Sequence, residues 1–226
     1  MKISWSLISI ASRFTAVGIG LIQSFIIIKV LSVGDYGLIN LVGSIGALVG
    51  VFQNLGISSG STREIAAAKD KKDAFKVFIG SLLVRYGISL PLGIALFIFA
   101  PYIGDTYYGH PEIIWPIRIF AITLFVQALQ SVLNSVVQGL KEFKFLFIFQ
   151  VGTAFLSIAS YVPLVISYGF MGYYYALIIY NTLSTLILLM FAFKLFRYGN
   201  DIEIPNKQEL GNIIKAVFKI GLYMYV

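Results

Sequence analysis

The chain has 226 residues, of which 58% are hydrophobic and only 12% are charged. A soluble domain keeps about a quarter of its residues charged, so the composition excludes an ordinary soluble protein and indicates an integral membrane protein. The formal net charge is +7, and the absence of cysteine excludes disulfides and thiolate metal sites. The sequence predicts neither a metal site nor a cofactor.

Apolar runs that are long enough to cross a hydrocarbon core of about 30 Å recur six times. They lie roughly at residues 4–32, 37–58, 77–100, 113–138, 145–167 and 170–195. The first run is too long for a signal peptide, and an arginine interrupts it. The sequence therefore predicts an all-α membrane protein with a six-helix transmembrane lobe over residues 1–196. Residues 60–76 are not apolar enough to span, and they are predicted as a cytoplasmic helical extension of the second helix.

A polar stretch at 197–212 is the best domain boundary and is predicted as a cytoplasmic linker. The apolar residues 213–226 that follow indicate the first turns of a seventh helix, which would begin a second lobe truncated here. The alternative is an amphipathic tail that lies on the membrane surface.

Lysine and arginine are concentrated in segments 63–76, 141–144 and 194–215, whereas the connections at 33–36, 101–111 and 168–172 contain neither residue. By the positive-inside rule, the N-terminus and the basic segments are cytoplasmic. We interpret the positive charge as a topology signal, with a weak attraction to anionic lipids, and not as a nucleic-acid interface.

Apart from Lys194 at the cytoplasmic end of the sixth run, four cationic residues lie within the predicted spans, and no acidic residue lies deep in any span. Lys29 and Arg118 lie near helix ends, from which their side chains can reach the interface by snorkelling. Arg13 and Arg85 lie about 13 Å from the cytoplasmic helix ends. Because no carboxylate lies at that depth, the two arginines predict a cavity that attracts an anion.

Amide side chains recur along one face of the fourth predicted helix, and asparagines also occur in the second and sixth helices. Amides in this number suit a hydroxyl-rich ligand such as a sugar, but hydrogen bonding between helices uses the same residue types. The candidates for glycan binding are Gln127, Gln130, Asn134, Gln138, Asn54 and Asn181.

Three stretches of the sequence resemble the N-terminal half of oligosaccharide flippases. They are "IIIKVLSVGDYGLINLV" at 26–42, "NLGISSGSTREIA" at 54–66 and "VVQGLKEFKFLFIFQV" at 136–151. These flippases form the O-antigen and polysaccharide branch of the multidrug/oligosaccharidyl-lipid/polysaccharide exporter superfamily.

The resemblance implies two six-helix lobes around a central cavity that work by alternating access. It implies flipping of undecaprenyl-diphosphate-linked oligosaccharide for cell-surface polysaccharide synthesis, in the inner membrane of a bacterial or archaeal cell. Arg13 and Arg85 would bind the diphosphate, and a C-terminal lobe would complete the transporter.

Two other classes of function stay open. A multidrug or cation antiporter of the same superfamily would share the fold, but it usually needs a membrane-embedded carboxylate, which this lobe lacks. A structural membrane subunit would not explain Arg13 and Arg85. An enzyme is not expected, because the chain has one loop histidine and no buried acids.

Overall fold

The computed structural model describes the backbone of residues 5–197 and 203–225 and the side chains of residues 14–196, 203–221 and 223. All regular structure in these ranges is helical. The helices are α1 (Trp5–Val30), α2 (Val33–Asn54), α3 (Ile57–Ala67), α4 (Lys71–Pro101), α5 (Ile114–Gly139), α6 (Phe143–Arg197) and α7 (Lys207–Tyr225). A π-helical segment (Tyr102–Tyr107) and a short 3₁₀ turn (Pro111–Ile113) connect α4 to α5.

In the described residues, four helical stretches are long and apolar enough to cross a membrane. They are Val33–Ala67, Lys71–Tyr107, Pro111–Gly139 and Phe143–Phe196, and the shorter apolar stretch Phe14–Val30 belongs to α1. The predicted all-α membrane class is confirmed.

Helix α6 has 55 residues, more than twice the number that one membrane span needs, and its backbone is not helical at Gly169. The rings of Tyr161 and Tyr180 lie 6.2 Å apart, although 19 residues of straight helix would separate them by about 28 Å. The chain therefore reverses near Gly169, as the predicted connection at 168–172 requires. Gly172 allows the close approach, because a side chain there would overlap the carbonyl of Leu164.

The prediction that residues 60–76 extend the second helix is wrong, because α3 ends at Ala67 and α4 begins at Lys71. Leu55 and Gly56 both have positive φ, so that α2 ends and a separate helix, α3, begins. The backbone of α7 approaches this break so closely that a side chain at Gly56 would overlap the carbonyl of Gly221. The end of α2 thus coincides with a long-range contact to α7.

Helix α7 begins at Lys207 after a capping box, in which the side chain of Asn206 accepts hydrogen bonds from the backbone of Gln208 and Glu209. Val217 is fully buried and forms an apolar cluster with Ile57 of α3 and Val84 of α4. That this helix opens a second lobe stays a prediction.

The chain divides into two compact units, which are described separately below. Unit 1 contains Met1–Gly46, Leu96–Thr123 and Phe143–Thr182, and unit 2 contains Ala47–Ala95, Leu124–Glu142 and Leu183–Val226.

Candidate functional site

A buried arginine lies in unit 2, in the middle of α4. The side chain of Arg85 is 5% exposed. Its Nη1 donates hydrogen bonds to the backbone carbonyl of Gln53 at 2.6 Å and to Oδ1 of Asn54 at 3.3 Å. These two residues end α2, where carbonyl groups lack helical partners and the helix dipole is negative. This contact explains how a guanidinium is accommodated in an apolar helix.

The hydrogen bonds to α2 do not use every N–H donor of the Arg85 guanidinium. The Nε of Arg85 is buried and has no hydrogen-bond partner, and no carboxylate forms an ion pair with Arg85 in the described part of the chain. A buried donor without an acceptor is unfavourable by about 1–3 kcal/mol. The group is therefore suited to an additional acceptor, either water or an anion.

No sequence pattern indicated Gln53, which positions Arg85. Its side chain is 4% exposed. The Nε2 atom donates to Ser89 Oγ at 2.9 Å and to the Leu124 carbonyl at 3.0 Å. Gln53 therefore joins α2, α4 and α5 while its own carbonyl accepts from Arg85. A single glutamine at the end of an apolar helix has no periodic pattern, so only its neighbours in space reveal the role.

A chain of hydroxyl groups leads from Arg85 to α5. Asn54 Oδ1 also accepts a hydrogen bond from Ser58 at 3.2 Å. The hydroxyls of Ser58 and Ser131 lie 2.7 Å apart, and Ser135 donates to the Ser58 carbonyl at 3.0 Å. We call the set Arg85, Gln53, Asn54, Ser58, Ser89, Ser131 and Ser135 the Arg85 network. For the serines, hydrogen bonding between helices accounts for the contacts.

The predicted amide face of α5 lies beside the serines of this network. Gln127, Gln130 and Asn134 are half-buried, and Gln138 is exposed. Gln127 and Asn134 lie one helical turn to either side of Ser131. The hydrogen bonds among the described residues do not include these four amides, which therefore keep donors and acceptors for a ligand.

The remaining predicted site residues belong to unit 1. Asn181 is buried in α6 and donates from Nδ2 to the carbonyl of Leu177, one turn earlier, at 2.7 Å. The backbone of Arg13 lies in α1, but its side chain lies outside the described residues. The structure thus places Arg85 and Asn54 in contact, whereas the described contacts of Asn181 stay within its own helix.

Unit 1 contains a cavity of about 240 Å³, with both polar and apolar walls, between α1 and the two arms of α6. Ser157 donates a hydrogen bond to the Gln23 side chain at its edge. The lining residues are Ala16, Ile19, Gly20, Gln23, Gln150, Thr153, Ala154, Ser157 and Tyr180. This mixture of amide, hydroxyl and aromatic groups suits a neutral polar ligand. Gln23, like Gln53, is an isolated glutamine whose role the sequence did not indicate.

Residues 26–226 match the protein family described as "Polysaccharide biosynthesis protein". A search of the curated proteins found no match to this sequence.

Three solved structures of MATE proteins share the fold. A MATE protein in complex with Br-NRF is 19% identical with a TM-score of 0.67, and the match covers 96% of this chain and 52% of that chain. A MATE protein with a single proline-to-alanine substitution is 18% identical with a TM-score of 0.68, and the match covers 95% of this chain and 51% of that chain. A MATE protein in the straight conformation is 19% identical with a TM-score of 0.64, and the match covers 95% of this chain and 51% of that chain. At this identity the likeness shows the fold alone, and the chain spans about half the length of these structures.

Proposed function

The chain belongs to the family of polysaccharide biosynthesis proteins, and from this membership we propose that it helps to flip a lipid-linked oligosaccharide across a membrane. The substrate is undecaprenyl-diphosphate-linked oligosaccharide, which alternating access would move from the inner to the outer leaflet. We expect a transport role and no catalytic activity.

The observation that supports this substrate is the unneutralised guanidinium of Arg85. A diphosphate headgroup must cross about 30 Å of hydrocarbon, whereas its polyprenyl tail can stay in lipid. Arginine binds phosphate oxygens through charge-assisted, often bidentate hydrogen bonds. The Nε of Arg85 has no partner in the described chain, so a phosphate oxygen would satisfy a donor that is otherwise buried and unpaired.

The other candidate residues take different roles in this proposal. Arg13 would be a second diphosphate ligand. Asn54 binds Arg85 directly, which supports a role in positioning the guanidinium more than a role in glycan contact. Sugar hydroxyls would bind the amides of α5, because these amides have no partner among the described residues. The glycan contacts are proposed for Gln127, Gln130, Asn134 and Gln138, and less directly for Asn181.

A second lobe is part of the proposal, because the chain covers only 52% of a MATE structure with the same fold. One lobe supplies part of a cavity wall, and its polar faces would otherwise meet lipid. We therefore expect purified residues 1–226, reconstituted in liposomes without another chain, to flip no glycan-lipid. Flipping by these residues alone would contradict the two-lobe proposal and leave the substrate open.

The proposed topology places the protein in the inner membrane of a bacterial or archaeal cell with a cytoplasmic N-terminus. Reporter fusions at Asp73, Lys141 and Asn206 should be cytoplasmic, and fusions at Asp105 and Phe170 should be external. A cytoplasmic signal at Asp105 would contradict this orientation.

The main test measures flipping of labelled undecaprenyl-diphosphate oligosaccharide in proteoliposomes that contain the protein with its second lobe. Arg85→Ala should reduce flipping at least about tenfold, because a charge-assisted hydrogen bond contributes about 1.5–3 kcal/mol. Arg85→Lys keeps the charge but loses the planar fork, so partial activity is expected.

Arg63→Ala is the matched control, because this arginine is exposed on α3 of the same unit. Thermal unfolding is measured in parallel for every variant. Unchanged flipping by a well-folded Arg85→Ala variant would refute the role of Arg85.

A second candidate function is export of a small organic molecule. It is favoured by the fold shared with a MATE protein in complex with Br-NRF and by the cavity of unit 1. Binding of Br-NRF that is lost on Gln23→Leu, with no binding of glycan-lipid, would favour this alternative.

A further inference from the structure

Arg118 lies in unit 1, one turn into α5, at the end that the charge pattern predicts to be external. The sequence predicted that its side chain can reach the membrane interface by snorkelling. The structure shows a half-buried side chain against two aromatic rings. Its guanidinium carbon lies 5.2 Å from the ring centre of Phe97 and 5.3 Å from that of Trp115.

The two rings attract the charge of the guanidinium but do not accept hydrogen bonds from its N–H groups within the plane. Aromatic faces attract the cation from above its plane, but the N–H groups of arginine point outward within that plane. The Nε of Arg118 is buried and has no hydrogen-bond partner, and the described residues contain no ion pair with Arg118. The arginine therefore retains in-plane donors and an unneutralised charge.

The surroundings of Arg118 are those of a membrane interface. Trp115 is 61% exposed and Phe97 is 39% exposed, and tryptophan is enriched at the level of the lipid headgroups. The start of α5 is tightly packed, because a side chain at Gly104 would come within 2.7 Å of Ile114. The guanidinium thus lies beside exposed aromatic surface at the packed start of α5.

We infer that Arg118, held between Phe97 and Trp115, binds the phosphate group of a lipid. Phosphate oxygens accept two parallel hydrogen bonds from the edge of a guanidinium, while the lipid chain can pack on the exposed rings. The phosphate can come from a membrane phospholipid or from a polyprenyl diphosphate. The proposal does not depend on the function proposed for Arg85.

The test is native mass spectrometry of the purified protein, together with any second lobe, in detergent with three added lipids. These are phosphatidylglycerol, undecaprenyl diphosphate and diacylglycerol, which has no phosphate. Arg118→Ala should raise the Kd for phosphate-bearing lipid at least about tenfold, as expected for a lost charge-assisted pair, and leave diacylglycerol unchanged. Arg118→Lys should weaken binding less, because it keeps the charge without the fork.

Lys29→Ala is the matched control, because Lys29 is an exposed cation over a single ring, that of Phe25, at 4.5 Å. A loss for only one phosphate lipid identifies the source of the phosphate, and a loss for both shows a general lipid-phosphate site. Unchanged Kd values for both lipids in a folded Arg118→Ala variant would overturn the inference. If that variant does not fold, unchanged values in both Arg118→Lys and Phe97→Leu would overturn it.

Discussion

Unit 1 and unit 2 stabilise their polar side chains in different ways. In unit 2, the Arg85 network joins α2, α3, α4 and α5 through side-chain hydrogen bonds. In unit 1, Thr153 and Asn181 donate to carbonyls of their own helix, and tyrosine rings of the two α6 arms pack edge to face. A polar group in a membrane favours an internal partner. Unit 2 provides such partners mainly through contacts between helices, and unit 1 mainly through contacts within one helix.

The difference has a consequence for ligand binding. Contacts between helices hold the guanidinium of Arg85 at one position, which suits a fixed charge such as a diphosphate. In unit 1, where most side-chain hydrogen bonds are local, fewer hydrogen bonds between helices join the walls of the cavity. One of them is the bond that Ser157 donates to the Gln23 side chain. We therefore expect unit 2 to be more sensitive to loss of a polar side chain and unit 1 to be more sensitive to changes in packing.

The largest effect should come from Gly172→Ala in unit 1. The added methyl group would overlap the Leu164 carbonyl, a backbone atom of the opposite α6 arm that moves only if the arm moves. We expect a loss of about 3 kcal/mol in the free energy of unfolding, at the upper end for an overpacked site, measured by thermal denaturation in detergent. Gly152→Ala, on the same helix with open space around it, is the control. Equal stability of both variants would contradict the close packing of the arms.

A smaller effect is expected from Gln53→Leu in unit 2. The substitution removes the amide that donates to Ser89 Oγ and to the Leu124 carbonyl. These two buried oxygens then lose a hydrogen-bond donor. The free energy of unfolding should fall by about 1–2 kcal/mol. The control is Ser44→Ala in unit 1, because Ser44 is exposed and donates only to its own helix, at the Asn40 carbonyl. A surface substitution of this kind usually changes the free energy of unfolding by no more than about 0.5 kcal/mol. An equal loss of stability in both variants would contradict the distinction between the units.

The smallest effect concerns the start of α7, where Lys76 Nζ lies 3.1 Å from carboxylate oxygens of both Glu203 and Glu209. The backbone N–H of Asn206 and the Lys76 ammonium lower the pKa of Glu209 below its ordinary value. A carboxylate whose pKa is lower in the folded chain than in the unfolded chain stabilises the folded state at pH values above its unfolded-state pKa. This stabilisation is lost as the pH falls through the pKa of the folded state.

Hydrogen-exchange protection of residues 207–221, corrected for intrinsic rates, should therefore decrease slightly as the pH falls below the ordinary carboxylate pKa of about 4.3. In Glu209→Gln, this decrease should be smaller than in the unmodified chain. An identical decrease in both proteins would show that Glu209 does not anchor α7.

Much of the fold was predictable because lipid imposes simple rules on a chain. Long apolar runs indicated the helices, and the connection expected at 168–172 contains the reversal at Gly169. The break between α2 and α3 was not predictable, because Gly56 takes its left-handed conformation where α7 contacts it. Glycine permits that conformation, but the sequence does not show which glycines use it.

The candidate site was predictable to a similar extent. Helical periodicity was enough to establish that Arg85 lies in an apolar helix without a nearby acid and that amides share one face of α5. Which polar groups are paired and which keep free donors became visible only in the folded chain. The partners are distant in sequence, since Gln53 precedes Arg85 by 32 residues and Ser58 precedes Ser131 by 73. Hydrogen bonds between helices depend on packing that no local pattern encodes.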